Sequence, residues 1–463
     1  MQPAPSSPPS SRRSFLHASA LAVGGMALGG PRILRGADAA SAAPEPRFNL
    51  AVVGCGNQGR SDMKNMLTAG ARLVALCDVD PGQIEKTRVE ALKVGGEATR
   101  SARAYDDYRR LIDDASSYDG VLIATPDHWH APLCRAFMRL GKHVYCEKPL
   151  THSIAEAREL RALARQSKVV TQMGNQGSAS NSLRRCTEII RAGALGQIRE
   201  IRHWGVGVAA KEGSANGEDP IPADFNWDLW VGPSAMRPYK QEVYHPRRWR
   251  GWFDFGNGGL ADFCCHALNL PVRALELSYP ARLVVNPQGD EPAPEKAAVE
   301  FHFPARGPLA PLVLHWQGQG LPSAEVLAPL VEVYKDKLPK GGLMIFGEKG
   351  CIYTSHWNTN GLIRLDGEPR LTDVTLHAAT RDVPVTLPRV KGHEREWIDA
   401  CCGDGRTFSN FDIGGLVTEI GLAGVVALRT GRTLEWDGAA MRATNAPEAA
   451  RFVRTEARTK WLS

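Results

Sequence analysis

The fold is decided by the stretch Phe48-Asn49-Leu50-Ala51-Val52-Val53-Gly54-Cys55-Gly56-Asn57-Gln58-Gly59. Its first half is a short, mainly apolar run of the kind that forms a strand buried on both faces of a sheet. Its second half has the spacing G-x-G-x-x-G and leads into a helical segment. Glycines in such a turn let the backbone approach a pyrophosphate, which the N-terminus of the helix attracts. The stretch therefore predicts a dinucleotide site, with contacts from Gly54, Gly56, Asn57, Gln58 and Gly59.

An acidic residue ends the next predicted strand. The apolar run 72–77 is followed by Asp78, 24 residues after Gly54. A carboxylate at this place can accept hydrogen bonds from the adenosine ribose and repels a 2′-phosphate, so NAD is favoured over NADP. The alternative is a structural glycine turn in which Asp78 only caps a helix.

Strands and helices alternate as far as residue 173, which is the pattern of βαβ units in a parallel sheet. From about residue 176 the pattern changes, and strands with no helices between them are predicted at 297–303, 311–316, 342–346 and 350–353. Helices return at 394–402 and 412–430. We therefore predict two domains. The first, at 47–175, is an α/β Rossmann-type domain with a parallel sheet, and the second, at 176–463, is an α+β domain with a large, mainly antiparallel sheet.

Composition argues against two classes of protein, nucleic-acid-binding proteins and integral membrane proteins. The chain has 463 residues, and its 56 lysines and arginines exceed its 50 aspartates and glutamates by six. Residues 1–42 hold four arginines and one aspartate, so they supply +3 of this charge, and the rest is interspersed. The charged residues therefore form no basic stripe of the kind that binds nucleic acid. No apolar run approaches the roughly 20 residues that cross a bilayer, so stable membrane insertion is not expected.

The amino terminus has the three parts of an export signal. Paired arginines at Arg12 and Arg13 precede a weakly apolar stretch at 18–30 and the small residues Ala40-Ser41-Ala42. This order is typical of a twin-arginine signal peptide, here assigned to residues 1–42. The alternative is a tail that happens to contain two arginines. The signal predicts a periplasmic protein that meets the twin-arginine export machinery and leaves the cytoplasm folded.

Ten cysteines raise the question of disulfides or metal ligands. Cys264-Cys265 and Cys401-Cys402 are vicinal pairs with poor geometry for ordinary bridges. No C-x-x-C spacing and no other set of metal ligands is present. We expect mostly free, buried thiols and no bound metal.

Two patterns suggest acid–base chemistry. Lys148, in Glu147-Lys148-Pro149, ends a predicted strand, and strand ends line the ligand crevice of an open α/β sheet. Asp262 and His266 are four residues apart, so they share one face of a helix, where a carboxylate can orient an imidazole that acts as a base. Three structural alternatives stay open: a surface ion pair between Glu147 and Lys148, a structural His–Asp pair, and two metal ligands.

A stretch rich in aromatic and basic residues lies between these patterns. Its tryptophans are Trp227, Trp230, Trp249 and Trp252, and its other polar rings and cations are Tyr244, His245, Arg247, Arg248 and Arg250. Sugars have apolar C–H faces that stack on aromatic rings. Tryptophan is equally suited to packing under long loops.

Together these motifs resemble the glucose–fructose oxidoreductase/inositol dehydrogenase (Gfo/Idh/MocA) family, over essentially the whole chain after the signal. Four further segments resemble the exported branch that has a longer C-terminal domain: 125–130, 173–177, 226–230 and 249–254. The resemblance implies catalytic roles for Lys148, Asp262 and His266, where some members have tyrosine at the last position. It also implies cofactor contacts from Thr125, Pro126, His128, His130, Glu147 and Lys148, and substrate contacts from Asn175, Trp249, Arg250 and Trp252.

The resemblance implies an NAD-dependent oxidoreductase that acts on a ring hydroxyl of a sugar, glycoside or cyclitol and keeps its cofactor bound. One alternative uses the same site for redox-driven elimination of a glycosidic substituent. A second is a sugar sensor without catalysis. An exposed antiparallel sheet favours a homo-oligomer, either a dimer or a tetramer.

Overall fold

The computed structural model describes residues 47–207, 210–286, 296–458 and 461, which form one compact unit with two sheets. The predicted export signal, residues 1–42, lies outside the described residues. The first sheet is entirely parallel, and the second is mixed but mostly antiparallel. The predicted fold class is therefore confirmed.

The first sheet has the strand order β3-β2-β1-β4-β5-β6. Its strands are β1 (Phe48–Val53), β2 (Ala71–Cys77), β3 (Arg103–Tyr105), β4 (Gly120–Ile123), β5 (His143–Glu147) and β6 (Thr171–Gly174). They alternate with α1 (Asn57–Thr68), α2 (Pro81–Gly95), α3 (Tyr108–Asp113), α4 (Asp127–Arg139) and α5 (Ile154–Ser167). The strand order reverses between β1 and β4, and ligands of open α/β sheets bind at such a reversal, beyond the carboxyl ends of the strands.

Because all six strands run in one direction, their carboxyl ends meet at a single edge. Gly54 follows β1, Asp78 follows β2, Thr125 lies just after β4, and Lys148 follows β5. The turn after β1 is tied to the neighbouring strand by a 2.9 Å hydrogen bond from the Gly54 amide to the Cys77 carbonyl. Gly54, Asp78 and Thr125, which are distant in sequence, thus line one crevice, and Lys148 follows a strand that ends at the same edge of the sheet.

The second sheet has ten strands in the order β14-β13-β12-β11-β7-β10-β9-β8-β15-β16. Its first eight strands in chain order are β7 (Ile198–Trp204), β8 (Arg282–Asn286), β9 (Ala298–Phe303), β10 (Leu312–Gln317), β11 (Gly342–Gly347), β12 (Gly350–Thr354), β13 (Leu362–Leu365) and β14 (Thr372–Asp373). The last two are β15 (Leu434–Asp437) and β16 (Arg442–Ala443). Among the described strands of this second sheet, only β7 and β10 pair in parallel.

The helices of this half are α6 (Asn181–Arg191), α7 (Trp227–Val231), α8 (Gly258–Ala267), α9 (Asn269–Ala274), α10 (Ala324–Tyr334), α11 (His393–Cys401) and α12 (Phe411–Thr430). The expectation that no helix interrupts the later strands is wrong, because α10 separates β10 from β11. Its Val326, Leu327 and Leu330 pack on the sheet face that carries Trp204 and Met344.

Helix α12 lies at the centre of the molecule. It has 20 residues and is apolar enough to cross a membrane by length and composition alone, contrary to the expectation that no apolar run is that long. Most of it is buried in protein, and its Glu419 pairs with Arg158 and Arg161 in the core. A Cβ at Gly421 would lie 1.9 Å from the Cys264 Sγ, so glycine lets α8 rest directly on α12.

All ten cysteines are free, which confirms that prediction, although Cys401 and Cys402 are only partly buried.

The aromatic stretch also has a clear structural role. It forms an aromatic cluster under the long connection between β7 and α8, made of Phe225, Trp227, Trp230, Tyr239, Tyr244, Trp249 and Phe255. The Trp227 and Trp230 rings stack with their centroids 4.8 Å apart. Packing therefore accounts for most of these aromatic side chains.

Candidate active site

The turn between β1 and α1 has the shape of a phosphate cradle. Gly54 has a φ of +92°, and a Cβ there would lie 2.6 Å from the Ala124 carbonyl carbon. A Cβ at Gly59 would lie 2.0 Å from the Gly54 oxygen, so this glycine lets the helix begin against the turn. A Cβ at Gly56 would meet no atom within 4 Å, so the turn faces open space there. The geometry leaves room for a ligand at the start of α1.

The start of α1 is suited to an anion. The first amide groups of a helix have no partner within the helix, and no side chain caps this one at Gly56. The helix dipole adds partial positive charge at the same point. A pyrophosphate would satisfy these amides, so the residues present fit an NAD-type cofactor.

A cavity of about 590 Å³ extends from this turn, which is within the usual size range of cofactor sites. Its lining includes the predicted contacts Gly54, Gly56, Asn57, Gln58, Asp78, Thr125 and Pro126. The lining also contains Arg60, Lys86 and Tyr108, which sequence reasoning did not single out. These three carry no short motif, and only the packing of the helices brings them to the crevice.

Asp78 lines the cavity and also holds the glycine turn. Its Oδ2 accepts a 2.7 Å hydrogen bond from the Cys55 amide, and its Oδ1 accepts one of 3.0 Å from the Asp80 amide. Burial raises the pKa of Asp78, and the two backbone donors oppose that rise. Each carboxylate oxygen has a further lone pair, so both can still accept a ribose hydroxyl.

We expect Asp78→Ala to weaken NAD binding at least about tenfold, since a hydrogen bond to a charged group contributes about 1.5–3 kcal/mol. Discrimination against NADP should fall as well, because the charge that repels a 2′-phosphate is gone. Dissociation constants for both cofactors measure this. Asp78→Asn is the matched control, because it removes the charge and keeps one oxygen for the turn. Tighter binding of NADP than of NAD by the wild-type protein would overturn the role of Asp78.

One segment crosses the cavity from the other half of the chain. This covering segment, residues 245–250, contributes His245, Pro246, Arg247, Trp249 and Arg250 to the lining. It is tied to the β2–α2 loop by a 2.9 Å contact between His245 Nε2 and Asp80 Oδ2. Hydrogen bonding to His245 is the largest cause that lowers the pKa of Asp80 to about 2. The cavity is therefore enclosed between the parallel sheet and this segment.

Lys148 forms an ion pair with Asp262. Its Nζ donates to Asp262 Oδ1 at 2.7 Å, and the two side chains are only 13% and 15% exposed. Burial acts to lower the pKa of Lys148, but the charge and the hydrogen bond of Asp262, together with the charge of Glu147, outweigh burial, and the net pKa is raised. The lysine therefore remains an ammonium. Arg250 links this pair to the cavity, because it lines the cavity and its Nε lies 3.7 Å from Asp262 Oδ1.

The expectation that Asp262 orients the imidazole of His266 differs from the structure. Helix α8 carries both residues, but the carboxylate of Asp262 turns to Lys148 on another element. Coulomb attraction to a buried ammonium is stronger than a hydrogen bond to a neutral ring, which is the physical reason. Asp262 thus positions the lysine rather than the histidine.

His266 is buried and has no polar partner among the described residues. The residue is 1% exposed, and neither Nδ1 nor Nε2 makes a hydrogen bond. Burial lowers the pKa of His266 well below its usual value, with further lowering by the nearby charge of Lys148. A neutral imidazole with free nitrogens can accept a proton. Two unsatisfied buried nitrogens are costly, and such sites indicate a functional role.

Asp127 is a candidate that sequence reasoning missed. It is the first residue of α4 and 2% exposed. Its Oδ1 has no hydrogen-bond partner within the described part of the chain, and its Oδ2 lies 3.4 Å from Asn257 Nδ2. Burial, together with the negative charge of Asp262, raises the pKa of Asp127 to about 8. The carboxyl is therefore largely protonated at neutral pH. The one feature of the sequence that could have indicated a role for Asp127 is its place in the segment 125–130, directly after the end of a strand.

Two of the predicted cofactor contacts are structural. His128 and His130 do not line the cavity, and both are buried. The ring nitrogens of His130 lie 2.7 Å from the Pro149 carbonyl and 2.9 Å from the Thr125 carbonyl. Those of His128 lie against the carbonyls of Phe255 and Trp230. Both rings point away from the crevice because α4 turns them into the interior, where they connect loops that form its walls.

Glu147 is also part of the wall and not of the lining. Its Oε1 accepts a 2.9 Å hydrogen bond from Gln176, and its side chain hydrogen-bonds with Asp62 of α1. Burial raises the pKa of both carboxyls. Two buried carboxyls in hydrogen-bond contact disfavour ionisation of both, so the pair shares a proton. Glu147 therefore joins α1 to the end of β5 behind Lys148.

The predicted substrate contacts divide into two groups. Trp249 and Arg250 line the cavity, and the Arg250 guanidinium lies 4.2 Å over the Trp249 ring. Trp252 packs against Tyr244 in the aromatic cluster and is not in the lining. Asn175 is fully buried. Its amide donates to the Cys265 carbonyl, and its oxygen accepts from Ser178 and Ser409, so the structure makes it a support for α8 and not a substrate contact.

Two family models match parts of the chain. Residues 48–175 match the family model for the NAD-binding Rossmann fold of an oxidoreductase family, and residues 203–291 match its C-terminal alpha/beta domain. An inositol 2-dehydrogenase of Saccharopolyspora erythraea is 34% identical over 153 residues, which cover 32% of this chain and 42% of that protein. A glycosyl hydrolase family 109 protein of the same organism is 28% identical over 41% of this chain and 44% of its own length. The chain thus spans less than half of the length of these curated relatives.

Solved structures share the fold over most of the chain. The crystal structure of an inositol dehydrogenase homologue from Azotobacter vinelandii, complexed with NADH and myo-inositol, superposes with a TM-score of 0.56 at 18% identity. It covers 85% of this chain and 99% of that one. The WlbA dehydrogenase from Bordetella pertussis, complexed with NADH and UDP-GlcNAcA, gives a TM-score of 0.57 at 15% identity and covers 84% and 98%. At these identities the likeness extends to the fold.

Proposed function

The chain belongs to the Gfo/Idh/MocA oxidoreductase family, and from that premise we propose that it oxidises a ring hydroxyl of a sugar, glycoside or cyclitol with NAD. One observation carries the proposal. A buried Lys148–Asp262 ion pair lies next to Arg250, which lines the cavity, and His266, one turn after Asp262 on α8, is an imidazole with no polar partner among the described residues. A cation and a base at the same place are what removal of a hydroxyl proton needs.

Each residue has a defined task in this reaction. The glycine turn and Asp78 hold the cofactor, and bound NAD supplies the hydride acceptor. His266 takes the proton of the substrate hydroxyl on a ring nitrogen. The Lys148 ammonium stabilises the negative charge that develops on the oxygen, and Asp262 keeps Lys148 charged and in place. Asn175 holds the Cys265 carbonyl and so fixes the helix that carries His266.

The test of this activity is NADH formation with a panel of pyranoses, their glycosides and cyclitols. A member of the panel that is oxidised, with a product carrying a ring ketone, supports the proposal. A spectrum of the bound cofactor that stays unchanged with every compound supports a non-catalytic sugar sensor instead and overturns it.

A second candidate is redox-driven elimination at the same site. In this reaction oxidation of a ring hydroxyl acidifies a neighbouring C–H, a base removes that proton, and the glycosidic C–O bond breaks. Water then adds to the double bond, and the ketone is reduced. The leaving oxygen needs a proton, and Asp127 is a buried carboxyl that is protonated at neutral pH. The similarity to glycosyl hydrolase family 109 proteins also favours this candidate. Release of an aryl alcohol from aryl glycosides without net NADH formation distinguishes it from simple oxidation.

We also propose that the protein is exported folded by the twin-arginine machinery, with its cofactor bound, and acts in the periplasm as a homo-oligomer. The paired arginines support export, and the covering segment supports tight binding. Because free nicotinamide cofactor is scarce outside the cytoplasm, the cofactor must be reoxidised in place. A second carbonyl substrate or return of hydride to the same sugar would do this.

We therefore expect purified protein to carry close to one NAD(H) per chain through extensive dialysis and to turn over without added cofactor. The measurement is the amount and identity of the nucleotide released on denaturation, by mass spectrometry. His245→Ala removes the tie to Asp80 and should accelerate cofactor loss. His302→Ala, on the second sheet, is the matched control. A protein that purifies empty and needs millimolar NAD contradicts the tight binding and leaves the family assignment intact.

A further inference from the structure

The loop between β12 and β13 holds a tryptophan in a fixed place at the surface. Trp357 is 42% exposed, yet its backbone is tightly packed, since a Cβ on Gly177 would lie 2.0 Å from the Trp357 carbonyl oxygen. The next residue, Asn358, is fully buried at a φ of 55° and accepts a hydrogen bond of 3.3 Å from the Leu270 amide of α9. On the other side, the His356 ring contacts His203 at 2.9 Å. The backbone of this loop is therefore held by contacts on both sides of Trp357.

The indole lies directly on the candidate base. The centroids of the Trp357 and His266 rings are 3.9 Å apart, with an angle of 41° between the rings. Phe263, one turn earlier on α8, has its ring centroid 6.2 Å from each of these two rings. The Lys148 Nζ lies 5.5 Å from the centre of the Phe263 ring. Base, lysine and indole thus meet on one face of α8.

The opposite face of α8 is closed. Cys264 packs against α12, and Cys265 contacts Thr418 of that helix and is held by Asn175. A substrate hydroxyl therefore has to reach His266 from the solvent side of α8, which is where the indole lies. Trp357 packs on His266 and Phe263, yet 42% of its surface stays exposed, so the indole has solvent on one side and the candidate base on the other.

We propose that Trp357 is a specificity-determining residue that shields His266 from solvent and is displaced by the substrate, on whose ring it then stacks. The inference rests on the proposed function, since it takes His266 as the base. It narrows the substrate class to compounds with a continuous apolar C–H face, meaning pyranosides or cyclitols, because a flat indole gains contact area only from such a face. Open-chain polyols lack that face and are poor substrates.

The test uses diethyl pyrocarbonate, which acylates neutral, accessible imidazole, on the protein as purified. Wild type, Trp357→Ala and Trp357→Phe are treated in parallel, and the peptide that contains His266 is followed by mass spectrometry. Reagent reaches a covered group only when the cover opens, so we expect Trp357→Ala to accelerate modification of His266 at least about tenfold. Trp357→Phe keeps a ring over the imidazole and should stay within about threefold of wild type by the same argument.

Other histidines serve as internal controls. His302 has a 34% exposed side chain and should react equally in all three proteins. His128 and His130 are buried elsewhere, and their continued protection shows that Trp357→Ala remains folded. Modification of His266 in wild type as fast as His302, or no acceleration in Trp357→Ala, overturns the shielding.

This measurement needs no turnover, so its failure is distinguishable from failure of the proposed activity. With a ring substrate that wild type oxidises, Trp357→Ala should raise KM at least about tenfold and change kcat much less, which is the signature of lost binding contact. Equal KM values in wild type and Trp357→Ala would overturn the stacking.

Discussion

Lys148→Met is expected to lower kcat at least about 100-fold while NAD remains bound, as for removal of a group that assists proton transfer. Methionine fills much of the space of the lysine stem but has no charge, so the developing alkoxide loses its cation. The cofactor cradle is formed by the turn after β1 and does not include Lys148, so NAD content should be unchanged. Turnover and bound nucleotide are measured on the same preparation.

The matched control is Lys142→Met. Lys142 stands just before β5, at the opposite end of the strand that leads to Lys148, and donates to the Tyr118 carbonyl at 2.9 Å. The Lys142→Met variant should retain the kcat of the wild type. A Lys148→Met protein with near-normal kcat on the same substrate would show that the ammonium has no part in the reaction.

His266→Gln is expected to reduce kcat by a similar factor of about 100-fold or more, because the amide cannot accept a proton. The wild-type pH profile gives an independent readout. The pKa of His266 is lowered by burial, so the imidazole stays neutral and active as pH falls past the usual histidine value of about 6.5. Activity should therefore decline only below that pH, and His266→Gln should lose this limb of the profile.

The control for this variant is His302→Gln, on the second sheet and paired with Glu300 at 3.0 Å. It should keep both kcat and the pH profile of wild type. An acid limb that persists unchanged in His266→Gln would assign the titration to another group.

The site also shows why one motif predicts some roles and not others. The segment 125–130 indicated cofactor contacts, and two of its members, Thr125 and Pro126, do line the cavity. His128 and His130 lie in the first turn of α4, and the direction of that helix turns their rings into the wall. Asp127, for which the sequence predicted no role, lies near the Lys148–Asp262 ion pair instead. Sequence spacing locates a loop near a site, whereas the helix axis decides which side chains face it.

The sequence by itself determined the parallel sheet, the glycine turn and the position of Lys148 at a strand end. These features follow from local rules: apolar periodicity, glycine where the backbone is crowded, and the common direction of parallel strands. The mainly antiparallel second sheet was predictable in outline for the same reason. Helix α10 was missed because its Val326, Leu327 and Leu330 are placed by packing on the sheet and not by a strong local signal.

Only the tertiary structure decided which side chains of the site contact each other. Asp262 pairs with Lys148 across 114 residues instead of with His266 on its own helix, because the buried ammonium is the stronger attraction. Asn175 supports α8 because the fold buries it beside Cys265. Trp357 reaches His266 from a loop 91 residues later in the chain, since Gly177 leaves room for its backbone. Contacts between distant segments depend on how the two sheets and α12 pack together, and no local pattern in the sequence records that arrangement.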